Sequence, residues 1–129
     1  MAATLDDKAR ALFDGVNHAV VTTLNADGGP QSSVVWVKTD GDDVLFSTTR
    51  ERRKAANLER DGRVSILVLE EGNPYSYAEV RGTATLEDDP DGALIADLSQ
   101  KYTGGEFTEP TPGAHRVIVR IRPAHVVSR

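Results

Sequence analysis

The sequence predicts a small, mainly β protein: an antiparallel barrel of six to seven strands with about three helices at its periphery. Three observations lead there. Runs rich in β-branched residues recur along the chain, separated by short turns of Gly, Asn, Asp and Pro. Other segments repeat apolar residues at helical spacing. The two kinds of segment do not alternate as strand–helix–strand units, which argues against a doubly wound parallel sheet and for a closed antiparallel one. At 129 residues the chain has the length of one domain, 1–129, large enough to bury a core.

Residues 4–14 predict the first helix. Thr4 can cap it, Asp6 and Asp7 suit its positive end, and Leu5, Ala9, Leu12 and Phe13 form an apolar stripe that Gly15 ends. Residues 18–24 read as a strand, 25–30 as a turn and 31–38 as the second strand of a hairpin. A turn at 39–42 leads to a third strand from Asp43 to Ser47. A basic helix follows at 50–60, closed by Asp61 and Gly62. Residues 63–69 are almost continuously apolar, as in a central strand. The long strand at 75–86 contains Gly82, a candidate bulge or point of close approach. Asp89 followed by Pro90 predicts a helix with Pro at its first position, carrying Leu94, Ile95, Leu98 and Tyr102. Residues 103–113, with three Gly and two Pro, read as a loop. A strand at 115–122 and a short extension at 124–128 complete the chain.

Composition narrows the function. There is no cysteine, which excludes disulfides, thiol catalysis and cysteine-ligated metal. A net charge of −5 argues against general nucleic-acid binding. The N-terminal residues lack the basic and apolar regions of a secretory signal, and the longest apolar run, near 64–69, is far too short to span a membrane. The expected location is cytoplasmic, with no membrane and no nucleic-acid partner. His18, His115 and His125 have no metal-ligand spacing, and the acidic run 87–91 reads as helix capping. There is no nucleophile elbow and no phosphate-binding G-x-x-x-x-G-K-[ST] motif. An enzyme with so little acid–base apparatus leaves the hard chemistry to a cofactor.

One stretch stands apart. Arg50, Arg52, Arg53 and Lys54 gather four of the fifteen basic residues within five positions of an acidic protein. They follow the hydroxyls of Ser47, Thr48 and Thr49 at a strand-to-helix junction, a setting that suits an anion. On a helix starting at Arg50, that residue shares a face with Arg53, Lys54 and Asn57, and each like-charge pair costs about 0.2–0.5 kcal/mol. Glu51 can screen Lys54, whereas Arg53 has no acid three or four residues away. Arg53 and Lys54 can clamp the phosphate of a flavin-like cofactor, against the alternative of a solvated, charged helix face, which is how Arg52 reads. The strand Gln31, Ser32, Ser33, Val34, Val35, Trp36 offers amides and hydroxyls at one end and apolar groups at the other, although its apolar half equally suits a barrel core.

The ordered set Gly28-Gly29-Pro30-Gln31-Ser32-Ser33-Val34-Val35-Trp36, then Ser47-Thr48-Thr49 and Arg53-Lys54-Ala55-Ala56-Asn57-Leu58, resembles the flavin and deazaflavin oxidoreductases of the split β-barrel superfamily, relatives of pyridoxamine 5′-phosphate oxidase. Residues 77–84 and 116–123 resemble later strands of that family, so the likeness covers about residues 8–127. The Pro-Gln-Ser-Ser-x-x-Trp form is most similar to the branch that uses coenzyme F420. The resemblance implies a homodimeric split β-barrel with two cofactor sites at the dimer interface. It implies hydride transfer between F420 and a small unsaturated or conjugated carbonyl substrate. Alternatives are an FMN-dependent oxidase and a non-catalytic carrier of F420 or flavin. In these terms Arg53 and Lys54 hold the phosphate. Ser47 and Thr48, with Thr49, Gln31, Ser32, Ser33 and the backbone of 34–36, lie beside the ring or ribityl chain. Asn57 and Tyr77 carry over more weakly. Arg50 meets the acidic oligoglutamate tail by charge, and solvent or Tyr102 delivers a proton.

Overall fold

The computed structural model describes residues 2–129; Met1, the start of the stretch read above as lacking a signal, lies outside the described residues. Its elements run α1 (Asp7–Asp14), β1 (Ala19–Leu24), β2 (Pro30–Val35), β3 (Lys38–Asp40), β4 (Asp43–Thr49), α2 (Arg53–Arg60), β5 (Arg63–Glu70), β6 (Asn73–Asp88), α3 (Ala93–Thr103) and β7 (Arg116–Ser128). The strands form one sheet in the order β2-β1-β5-β6-β7-β4-β3, with every neighbouring pair antiparallel. The two outermost strands, β2 and β3, are consecutive in the chain and joined only by Trp36 and Val37. That short link brings the sheet's edges back together, so the sheet coils into a split β-barrel of the mainly β class.

Alternating side chains fill the barrel. Val21, Val44, Phe46, Ile66, Val68, Val80, Val119 and Ile121 are fully buried in one cluster with Phe13 of α1 and Leu58 of α2. Burial of a side chain of this size contributes about 1.5–3 kcal/mol. α1 closes the end of the barrel near the β3–β4 turn, where Arg10 bonds Asp42 and Gly41. α2 closes the opposite end, where Asn57 bonds Thr23 at the end of β1. α3 instead packs outside the barrel, where Leu94 and Leu98 join Leu45, Trp36, Tyr102 and Ile118 in a second cluster. No described helix is long and apolar enough to cross a membrane.

The element boundaries differ from the sequence reading for local reasons. α1 starts later because Asp6, not Thr4, caps it by accepting the Ala9 N–H at 2.7 Å. The strand expected at 31–38 breaks at Trp36–Val37, where the chain turns the barrel's corner. β5 is central, as expected, but its burial alternates, with Val64, Ile66 and Val68 inward. α2 starts at Arg53, because β4 continues to Thr49 and a turn takes up the next three residues. Asp89 does cap α3, accepting from Ala93 N–H and Leu94 N–H at 3.1 and 2.9 Å. Pro90 lies in the turn before the helix, not at its first position, and Gly92 at φ +65° is the residue that enters it. The bulge expected at Gly82 is present, and a Cβ there would lie 2.0 Å from the Arg122 carbonyl oxygen. Pro123 sits opposite Gly82 at this irregularity, so its missing N–H does not interrupt β7.

Candidate functional site

β3 is only three residues long and pairs with Asp43, Val44 and Leu45. The rest of β4, Phe46 to Thr49, has β7 on one side and no strand on the other. β2 pairs only with β1, so its outer edge is free as well. Between these two edges opens a cavity of about 280 Å³. Val34, Val35 and Trp36 line it from one side, and Ser47 and Thr48 from the other. Ile95 and Leu98 of α3 add an apolar wall, Phe107 and Arg116 bound it, and Arg52 and Lys54 supply positive charge.

Lys54 is only 8% exposed and makes no hydrogen bond or ion pair among the described residues. Burial, and after it the neighbouring Arg52 cation, pushes its pKa below the ordinary lysine value. Its stem is buried while the ammonium faces the cavity, with no carboxylate paired to it. Thr48 is 1% exposed, and its Oγ1 has no hydrogen-bond partner. The same holds for Gln31 Oε1 and Ser33 Oγ, two residues apart on the face of β2 that lies beside Val21 and Thr23. Gln31 and Ser33 do not line the cavity, whereas Thr48 does; its unsatisfied oxygen, the free strand edges and an unpaired ammonium together fit a ligand with an anionic group and a polar ring edge.

The remaining sequence-nominated residues are distributed as follows. Val35 belongs to the barrel core and Val34 is 64% exposed on the rim. Trp36 lines the cavity, joins the outer cluster and stacks on Tyr102 with centroids 5.3 Å apart. Ser32 bonds Thr22 across the hairpin at 2.8 Å, and Thr49 is buried at the end of β4. Arg53, at the first position of α2, is exposed and does not line the cavity, whereas Arg52 does. The residue read as ordinary solvated charge thus stands on the wall where Arg53 was expected. Arg50 is engaged within the chain: it pairs with Glu59 and with Asp88 at 2.8 Å, and the Asp88 bond holds its pKa up. Glu51 turns away from Lys54 and accepts from His115 N–H and Nδ1. Asn57 ties α2 to the barrel, donating to Thr23 Oγ1 at 3.0 Å and Asn25 Oδ1 at 3.1 Å. Tyr77 is on β6 beside Arg129, away from the cavity.

Tyr102 lies in α3, as its helical spacing predicted. Its hydroxyl donates to the Asn17 carbonyl at 2.6 Å and accepts from Val37 N–H at 3.2 Å, and burial raises its pKa. It is not a wall residue and holds its proton tightly, so it serves as a structural tie. Ile95, Leu98, Phe107 and Arg116 were not nominated from sequence. The helical stripe containing Ile95 and Leu98 was visible, but its docking beside β4 had no local signal.

The chain matches the family described as Pyridoxamine 5′-phosphate oxidase over residues 5–128. Among solved structures it is similar to a protein described as F420 Reductase, with 32% identity and a TM-score of 0.85 over 95% of this chain and 98% of that one. General Stress Protein 26 of Bacillus anthracis str. Sterne is 21% identical, with a TM-score of 0.73 over 95% of this chain and 91% of its own. HupZ of Group A Streptococcus is 14% identical, with a TM-score of 0.73 over 97% and 94%. The last two likenesses bear on the fold alone.

Proposed function

The chain belongs to the pyridoxamine 5′-phosphate oxidase family, and on that premise we propose that its cavity holds coenzyme F420 and that the protein is an F420-dependent reductase. The observation that carries this reading is the unpaired, largely buried Lys54 beside the unsatisfied Thr48 oxygen, between two free strand edges. The likeness to an F420 Reductase at 32% identity favours the deazaflavin over FMN. F420 held there would supply hydride-transfer chemistry toward a small unsaturated or conjugated carbonyl substrate.

The chain's own residues supply binding and orientation. Lys54, with Arg52 beside it, holds the phosphate. Thr48 Oγ1 and the exposed backbone of β2 and β4 hydrogen-bond the polar ring edge. Trp36, Ile95 and Leu98 exclude water from the reacting face. Solvent delivers the proton. A cavity of about 280 Å³ lies just below the usual size of ligand sites, about 300–1,000 Å³. This supports a homodimer in which a second copy completes each site across the exposed rim at Val34.

The test is a paired titration of the apo protein with F420 and FMN, read by the fluorescence of the ligand and of Trp36, the sole tryptophan. Saturable F420 binding tighter than FMN binding is expected; FMN binding without F420 binding overturns the assignment. Reduced F420 should then be oxidised by members of a panel of enones and quinones. Binding without any oxidation would make the protein a carrier.

A further inference from the structure

We propose that Phe107 is the gate of this cavity and selects the acceptors that enter it, with Arg116 as the positioning residue that holds the gate shut. The acceptor half of the inference rests on the functional reading above. Phe107 is a shared wall. It bounds the 280 Å³ site, an outer cavity of about 290 Å³ beside Pro90 and Ile95, and a third of about 450 Å³ beside Asp97 and Gln100. Its ring therefore stands between the site and the protein's outside.

The segment bearing Phe107 is built to move. It is flanked by Gly104 and Gly113, both at positive φ, +74° and +80°. Among the described residues, 106–110 make no backbone–backbone hydrogen bond. Ser99 Oγ donates to the Gly105 carbonyl at 2.9 Å at the start of the loop, and beyond it the tie to the barrel is one side chain. Arg116 donates from Nε to Glu109 Oε2 at 2.7 Å and from a terminal nitrogen to Oε1 at 3.3 Å. Its guanidinium lies over the Phe107 ring, 4.8 Å from the centroid, and 3.5 Å from Ser47 Oγ. Arg116 is itself fixed, at the start of β7 opposite Thr49, with a side chain only 10% exposed. A planar fork on a rigid strand thus clamps the middle of the loop. Residues 106–110 can move without breaking a backbone–backbone hydrogen bond, and the bulk of Phe107 sets the width of what passes.

Trp36 lines the same cavity, so acrylamide quenching of its fluorescence reads the gate in the intact protein without cofactor. Quenching should rise in Phe107→Ala, in Arg116→Lys and in Glu109→Gln. The last alters a loop carboxylate and keeps the test valid if an Arg116 variant folds poorly. With reduced F420, Phe107→Ala should raise kcat/KM for a wide acceptor over that for a narrow one by about tenfold. Arg116→Lys should shift the same ratio, and the two changes together should be less than additive. Unchanged quenching in all three variants overturns the gate. Raised quenching with an unchanged acceptor ratio overturns the selection. A wild type that binds neither F420 nor FMN overturns the functional reading and acceptor selection with it, while quenching still decides the gate.

Discussion

Lys54 buries most of its side chain and presents its ammonium to the cavity with no carboxylate paired to it. Lys54→Met should leave the apo melting temperature unchanged or higher. The same change should weaken F420 binding by about 1.5–3 kcal/mol, roughly tenfold to hundredfold in Kd, measured by titration. Because the anion binds the charged form and the free pKa is lowered, wild-type affinity should fall as pH rises through that pKa, and the variant should lack this trend. Arg52→Ala should cost more affinity than Arg53→Ala. The concentration of charge was legible, but not which of its residues line the cavity. The continuation of β4 to Thr49 moves the helix start to Arg53, and Arg52, still exposed, borders the cavity from the turn before it. Lys101 gives an independent pH signal. Its ammonium donates to the Phe13 and Val37 carbonyls, and burial pushes its pKa down to about 8 from 10.5. The unfolded chain therefore binds more protons across that window, and stability rises with pH there. Urea unfolding at pH 7 and pH 10 should show wild type gaining on Lys101→Met.

Among the elements, the β6–β7 pair is least tolerant of change. A Cβ at residue 82 meets the Arg122 carbonyl oxygen at 2.0 Å, and neither backbone can yield without breaking its ladder. Gly82→Ala should destabilise by about 3 kcal/mol or more, read as a lowered urea midpoint. This bulge was legible, because a glycine inside a β-branched run has few other uses. The strand at 31–38 was not legible as two, since Val35, Trp36 and Val37 are all good strand formers and only closure of the barrel demands a corner there. The cap of α3 was half legible: Asp89 carries it, but across a turn that Pro90 and Gly92 shape together. The walls contributed by Ile95, Phe107 and Arg116 come from far along the chain, and no local pattern joins them to Thr48.

At the scale of the molecule, the functional reading predicts a dimer. Sedimentation should give twice the chain mass, and Val34→Asp should both shift the protein toward monomer and weaken F420 binding. Binding should also weaken with added salt, since the attraction is a cluster of cations in a chain of net charge −5. The shortness of β3 has one more consequence. Had it been four residues longer it would have covered Phe46 to Thr49, sealed the barrel and left no room for a ligand. Left short, it exposes peptide groups that any passing extended chain could join. Ligand occupancy then acts as a guard against self-association: the vacant protein should be the aggregating species, and the loaded one should keep longer in solution.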